Sequence, residues 1–230
     1  MALLNHPPEA RLSLRVLALL LGYPDRALLE QLGAMRHVLH QERALSAAQL
    51  DAVDRLLAAL AGSAPLEAEA DYVQLFEQAR STSLHLFEHV HGDSRERGPA
   101  MVELARTYQQ AGLILAPGEL PDYLPVVLQF ASTLAPQQAR DFLGELAHIL
   151  NALFGALAQR HSPYAGALGA LLELAGEQPS PVSIEPDLPP EESWEEPKVF
   201  DGCSSKGQSR PGATTPIHIV RNHAATGVRP

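Results

Sequence analysis

The chain has 230 residues, room for one sizeable domain or two small ones, and its 17 basic against 27 acidic residues leave a net charge of −10. That balance excludes the basic stripe needed for binding phosphate backbones and favours basic peptides as partners. The single cysteine, Cys203, excludes an intramolecular disulfide or a cysteine-built zinc site and suits a reducing compartment, and the abundance of Leu and Ala with only 5% aromatic residues favours an all-α fold.

Apolar positions recur every three or four residues in successive blocks separated by Gly and Pro. The first predicted helix covers 11–21 and stops at Gly22 and Pro24; its apolar run is too short for a signal segment. A second runs from Asp25 to about Gln41. A third starts at Ser46, where Ser46 and Gln49 have capping-box spacing, and ends at Gly62, with Leu50, Val53, Leu57 and Leu60 as its buried stripe. The fourth covers 66–78.

Residues 79–98 mix charges, histidines and apolar side chains without clean helical periodicity, which makes this stretch a candidate for function. A fifth helix is predicted over 99–113. A sixth has Pro121 and Pro125 within its first turn, where early amides lack intrahelical partners anyway. The seventh runs over 137–160 with Phe142, Leu146, Ile149, Leu153 and Leu157 on one face, and the eighth over 164–175. The uncharged stretch between Glu145 and Arg160 falls short of the roughly 20 apolar residues of a membrane span. Nine of the 19 prolines lie after Gly176. The expected organisation is therefore a compact multi-helix domain over 1–176 and a Pro-rich, disordered tail over 177–230 whose one apolar cluster is Trp194, Val199 and Phe200.

Three chemistries compete for residues 72–98. His85, His89 and His91, with Glu88 and Asp93, offer metal-ligand types, but on a helix through 84–90 His91 has no obvious approach to the same ion. Acid–base catalysis by His89 or His91 with Glu88 lacks any accompanying nucleophile or phosphate-loop motif. A binding surface remains, in which Glu77, Glu88 and Asp93 face a cationic partner while Arg80, Arg95 and Arg97 tie the segment to carboxylates such as Asp122.

The run Tyr72-x-x-Leu75-Phe76-Glu77, Arg80-x-Thr82-Ser83-Leu84-x-Leu86-Phe87-Glu88-His89-Val90-His91-Gly92-Asp93-Ser94-Arg95-x-Arg97-Gly98 closely resembles the signature of the respiratory nitrate reductase assembly chaperones, the delta-subunit or NarJ family. A second block, Glu119 to Pro125, resembles the family's Leu-Pro-Asp-His-Leu-Pro, with Tyr123 at the histidine position and Asp122 retained. The early Leu20-Leu21-Gly22-Tyr23-Pro24-Asp25 and the tail's Trp194-Glu195-Glu196-Pro197-x-Val199-Phe200 are also similar. The resemblance implies a single all-α domain of the redox-enzyme maturation type. It further implies a cytoplasmic, non-enzymatic chaperone for the catalytic (alpha) subunit of respiratory nitrate reductase, which binds that subunit's N-terminal leader. Such a chaperone holds no cofactor or metal stably itself, and assists insertion of the molybdenum bis-guanine-dinucleotide cofactor and iron–sulfur clusters before membrane attachment.

On this reading the peptide-binding residues are Tyr72, Phe76, Glu77, Arg80, Phe87, Glu88, His89, His91, Asp93, Arg95, Arg97, Pro121, Asp122 and Tyr123. An amphipathic basic helix would sit on a floor of Leu75, Phe76, Leu86, Phe87, Leu124 and Leu128, with Glu77, Glu88, Asp93 and Asp122 as a carboxylate rim. A histidine-centred metal protein and a generic helical scaffold are the alternatives.

Overall fold

The structure is a computed structural model that describes residues 9–92 and 94–180. The Pro-rich segment from 181 onward, with its Trp194 cluster, and Asp93 lie outside the described residues. The fold is all-α. In chain order the helices are α1 (Arg11–Leu20), α2 (Arg26–Glu42), α3 (Ala47–Gly62), α4 (Pro65–Tyr72), α5 (Leu86–Val90), α6 (Arg97–Gln110), α7 (Leu124–Ala131), α8 (Pro136–Glu145), α9 (Ala147–Gln159) and α10 (Ala165–Ala175).

Side chains from elsewhere in the chain fix the helix ends. Glu42, at the end of α2, accepts the Leu12 and Ser13 amides at 2.8 and 2.5 Å, so the start of α1 is held by the end of its neighbour. Asp25 caps α2 by accepting the Leu28 amide at 2.8 Å. Ser46 caps α3 as expected, its Oγ accepting from the Gln49 amide. The other half of the expected capping box is made differently: Glu173 of α10, not Gln49, accepts the Ser46 amide and hydroxyl, both at 2.6 Å. The cap thereby ties α3 to α10.

Helix α10 sits at the centre, packed against α3, α8, α9 and α1, and Leu168, Leu171 and Leu172 are fully buried. Each such leucine contributes about 1.5–3 kcal/mol of apolar burial. Gly166 lets α10 approach α3 closely, since a Cβ there would lie 2.7 Å from the Ala52 carbonyl oxygen. Helix α1 joins the same core and packs on α2 and α7.

The single helix expected over 137–160 is two. Helices α8 and α9 meet at a 66° bend. At Leu146 the ladder tightens to three-residue bonds, with the Leu146 amide on Leu143 O and the Ile149 amide on Leu146 O. The bend lets both pieces lie against α10, which periodicity cannot register because the apolar spacing continues through it. Ile149, Leu153 and Leu157 are buried as expected, while Phe142 and Leu146 are only partly so. Among the described residues no single helix is long and apolar enough to cross a membrane; only the bent α8–α9 pair passes on length and composition.

Helix α6 starts and ends earlier than its apolar pattern suggests. It is held by a small second cluster in which Tyr108 packs with Val126 and Phe130. The sixth predicted helix begins at Leu124, so Pro125 lies in its first turn and Pro121 in the turn before it.

Candidate functional site

Helix α4 runs directly into a π-helical turn, Val73–Glu77, closed by the Gln78 amide on Val73 O at 3.1 Å. Widened turns of this kind recur at functional sites. Tyr72 and Phe76, one turn apart, are both buried, with ring centroids 4.8 Å apart. The helix is stopped by Thr82, fully buried, whose hydroxyl donates to the Leu75 and Ala79 carbonyls. From there the chain bends at Leu84, and His85 forms an antiparallel bridge with Tyr123. The Leu124 amide donates to Leu84 O at 2.9 Å and the Leu86 amide to Asp122 O at 3.0 Å. This bridge joins the two sequence blocks into one site.

Asp122 lies behind the bridge with no solvent exposure. Its Oδ2 accepts the Phe87 amide at 3.2 Å and stands 3.7 Å from Arg97 Nη2; its Oδ1 faces His85 Nδ1 at 3.5 Å. The same Arg97 nitrogen donates to Glu88 Oε1 at 3.3 Å, and Ser83 Oγ donates to Glu88 Oε2 at 2.6 Å. Tyr108 donates to the carbonyl of buried Pro121 at 2.8 Å. The Leu-Pro-Asp block is therefore pinned from both sides.

In front of the bridge opens a cleft of about 500 Å³ between the π-helical turn, the 83–85 segment and residues 118–123. Tyr72, Phe76, Leu84 and Tyr123 supply its apolar and aromatic surface, and Glu77, Glu88 and Glu119 its carboxylates. The Tyr72 hydroxyl donates to the Leu21 carbonyl at 2.9 Å and lies 2.9 Å from the Tyr123 hydroxyl. Burial pushes the Tyr72 phenol far above its ordinary pKa, with the Tyr123 hydroxyl adding to the effect. Burial also raises Tyr123, partly offset by its bond to Tyr72. The His85 and Tyr123 rings stand 5.2 Å apart, tilted by 31°.

Comparison with known proteins sets this site in a family. The family model described as nitrate reductase delta subunit matches residues 42–170, a span that contains the π-helical turn, the bridge and the whole cleft. This chain belongs to that family. It is 42% identical over 164 residues to the nitrate reductase molybdenum cofactor assembly chaperone NarJ of Escherichia coli K12, covering 71% of this chain and 70% of that protein. It is 38% identical over 197 residues to the probable nitrate reductase molybdenum cofactor assembly chaperone NarW of the same strain, covering 85% and 81%. A crystal structure of a putative redox enzyme maturation protein from Archaeoglobus fulgidus has the same fold, with a TM-score of 0.51 at 18% identity over 77% of this chain and all of that one.

The expected site residues divide into groups. Tyr72, Phe76, Glu77, Glu88 and Tyr123 line the cleft. Asp122 and Pro121 are buried behind it, so Asp122 is not part of a carboxylate rim as its charge suggests: the bridge turns its side chain inward to Arg97 and the Phe87 amide. Leu86, Leu124 and Leu128 do not line the cleft and are likewise core rather than groove floor. Arg97 does tie the segment to carboxylates, as expected.

Phe87 stacks edge-on with His91, and His89 Nε2 bonds the Ser83 carbonyl at 2.7 Å; none of the three lines the cleft. Arg80 and Arg95 are exposed outside it. The histidines thus have separate partners, and no group of three His, Cys, Asp or Glu side chains among the described residues could hold a metal ion. Sequence reasoning omitted His85, Glu119 and Leu120 from the binding residues. The continuity of Glu119 and Leu120 with the Leu-Pro-Asp block was the available signal; His85 depends on the bridge, which is a tertiary contact.

Proposed function

We propose that this chain is an assembly chaperone of respiratory nitrate reductase. It binds the N-terminal leader of the catalytic (alpha) subunit in the cleft and holds the apo-enzyme while the molybdenum bis-guanine-dinucleotide cofactor and iron–sulfur clusters are inserted. It acts in the cytoplasm before membrane attachment, catalyses no reaction and keeps no cofactor of its own.

The observation that carries this reading is the cleft: an aromatic floor rimmed by Glu77, Glu88 and Glu119, with no Lys or Arg among the described residues that line it. Such a surface suits a helix with one apolar and one basic face. Each anchor buried from the peptide is worth about 1.5–3 kcal/mol, reduced by about 0.5–1.5 for each side chain ordered. Four anchors at about 2 kcal/mol net each give roughly micromolar affinity, which allows release once the partner is complete.

The test is calorimetric titration of a peptide of the alpha-subunit N-terminus from the same organism, with Glu77→Lys alongside. Glu77 is exposed and on the rim, whereas Glu88 is held by Ser83 and Arg97, so changing Glu88 would disturb the scaffold as well. Saturable one-to-one binding, weakened several-fold in the variant and by added salt, is the expected result. A folded protein that ignores the peptide at every concentration tried would show the reading to be wrong.

A further inference from the structure

The hydroxyl donors along the cleft have their protons committed away from it. Tyr72 has one hydroxyl proton, and the Leu21 carbonyl, which can only accept, takes it at 2.9 Å. The 2.9 Å contact between the two phenol oxygens must then be filled by the proton of Tyr123. This leaves the Tyr123 oxygen with lone pairs and no proton for anything entering the cleft. The Ser83 proton goes to Glu88 Oε2 at 2.6 Å.

The His85 ring stands beside that of Tyr123. Its Nδ1 and Asp122 Oδ1 are both buried and face each other at 3.5 Å. Glu77 and Glu119 add acceptors at the rim.

We infer that the Tyr123 end of the cleft, where every hydroxyl proton is committed elsewhere, is an acceptor subsite that selects one guanidinium or ammonium side chain of the bound leader. This rests on the leader-binding reading and deepens it. A cation fits for two independent reasons. Its N–H groups find an acceptor in the Tyr123 oxygen, and its charge meets an aromatic face and the Glu77 carboxylate. A ligand group with only acceptors, such as a carboxylate, meets the Tyr123 lone pairs and the rim carboxylates and gains no hydrogen bond from them. Tyr72 is a positioning residue here: it fixes the direction of the Tyr123 proton through its own bond to Leu21.

The experiment uses the full chain and the alpha-subunit leader peptide, with each Arg or Lys of the peptide replaced in turn by norleucine and, at any sensitive position, by citrulline. Citrulline keeps N–H donors and loses the charge, so it separates hydrogen-bond polarity from rim electrostatics. One position is expected to dominate, with affinity falling in the order arginine, citrulline, norleucine. Tyr123→Phe, which keeps the ring, is expected to weaken the native peptide about tenfold and to abolish the difference between citrulline and norleucine at that position. Tyr72→Phe frees the Tyr123 proton to turn toward the cleft and is expected to weaken the same peptide. Unchanged thermal unfolding shows that each variant is folded.

Equal affinity of the wild-type and Tyr123→Phe proteins, or a loss that is the same whichever peptide residue is replaced, overturns the subsite while leaving leader binding intact. A wild-type protein that binds no leader overturns both.

Discussion

A carboxylate with no solvent exposure, 3.7 Å from Arg97 and 3.5 Å from His85 and accepting the Phe87 amide, depends on every one of those partners. Removing its charge leaves Arg97 with only Glu88 and weakens the bond that starts α5. Asp122→Asn is therefore expected to lower the unfolding free energy by about 3 kcal/mol, the usual scale for breaking a buried charged network from one side. Urea denaturation measures it, and a change under about 0.5 kcal/mol would mean that the network is not structural. Leader affinity should fall with it, because the bridge that shapes the cleft hangs on the same residue. The contrast with Glu77 is instructive. Both read in sequence as acidic candidates beside apolar residues, yet one faces the cleft and the other the core. Sequence spacing identifies the charge but not its direction, which is set here by the pairing of His85 with Tyr123 across nearly forty residues.

Among the helices, the contact of α3 with α10 has the least tolerance. A Cβ on Gly166 would meet the Ala52 carbonyl oxygen at 2.7 Å and its carbon at 2.8 Å, both backbone atoms that cannot swing aside. Gly166→Ala gains helix propensity of about 1 kcal/mol yet must separate the two helices, so a net destabilisation of about 1–3 kcal/mol is expected, read from the shift in denaturation midpoint. Gly33 on α2, with nothing within 4 Å of its Cβ position, is the control, and Gly33→Ala should stabilise. Most helices were legible because their apolar periodicity, Gly and Pro boundaries and the Asp25 and Ser46 caps are local signals. The α8–α9 bend and the role of Glu173 in capping α3 were not, since each is dictated by the surface of α10 rather than by its own neighbours. The π-helical turn was also hidden, because apolar spacing through Tyr72 and Phe76 is the same for an α-helix.

Across the molecule the tyrosines join the cleft to the core, and their ionisation offers a global readout. Burial raises the phenol pKa of Tyr72, Tyr108, Tyr123 and Tyr164 above the ordinary value; Asp122 adds to the effect at Tyr108, and Asp71 at Tyr164. In the unfolded chain these groups ionise near pH 10. Above that pH the unfolded state binds fewer protons than the folded one, so stability falls as pH rises. The contribution is complete below pH about 10 and is lost as the pH climbs from there toward the raised folded values. Apart from the single exposed Tyr23, alkaline titration followed by phenolate absorbance should thus show little ionisation while the helices persist, then a cooperative rise coincident with loss of helical circular dichroism. Gradual formation of all five phenolates near pH 10 with the helices intact would mean that the Tyr72–Tyr123 pair is open to solvent, and the argument for its fixed proton direction would fail with it.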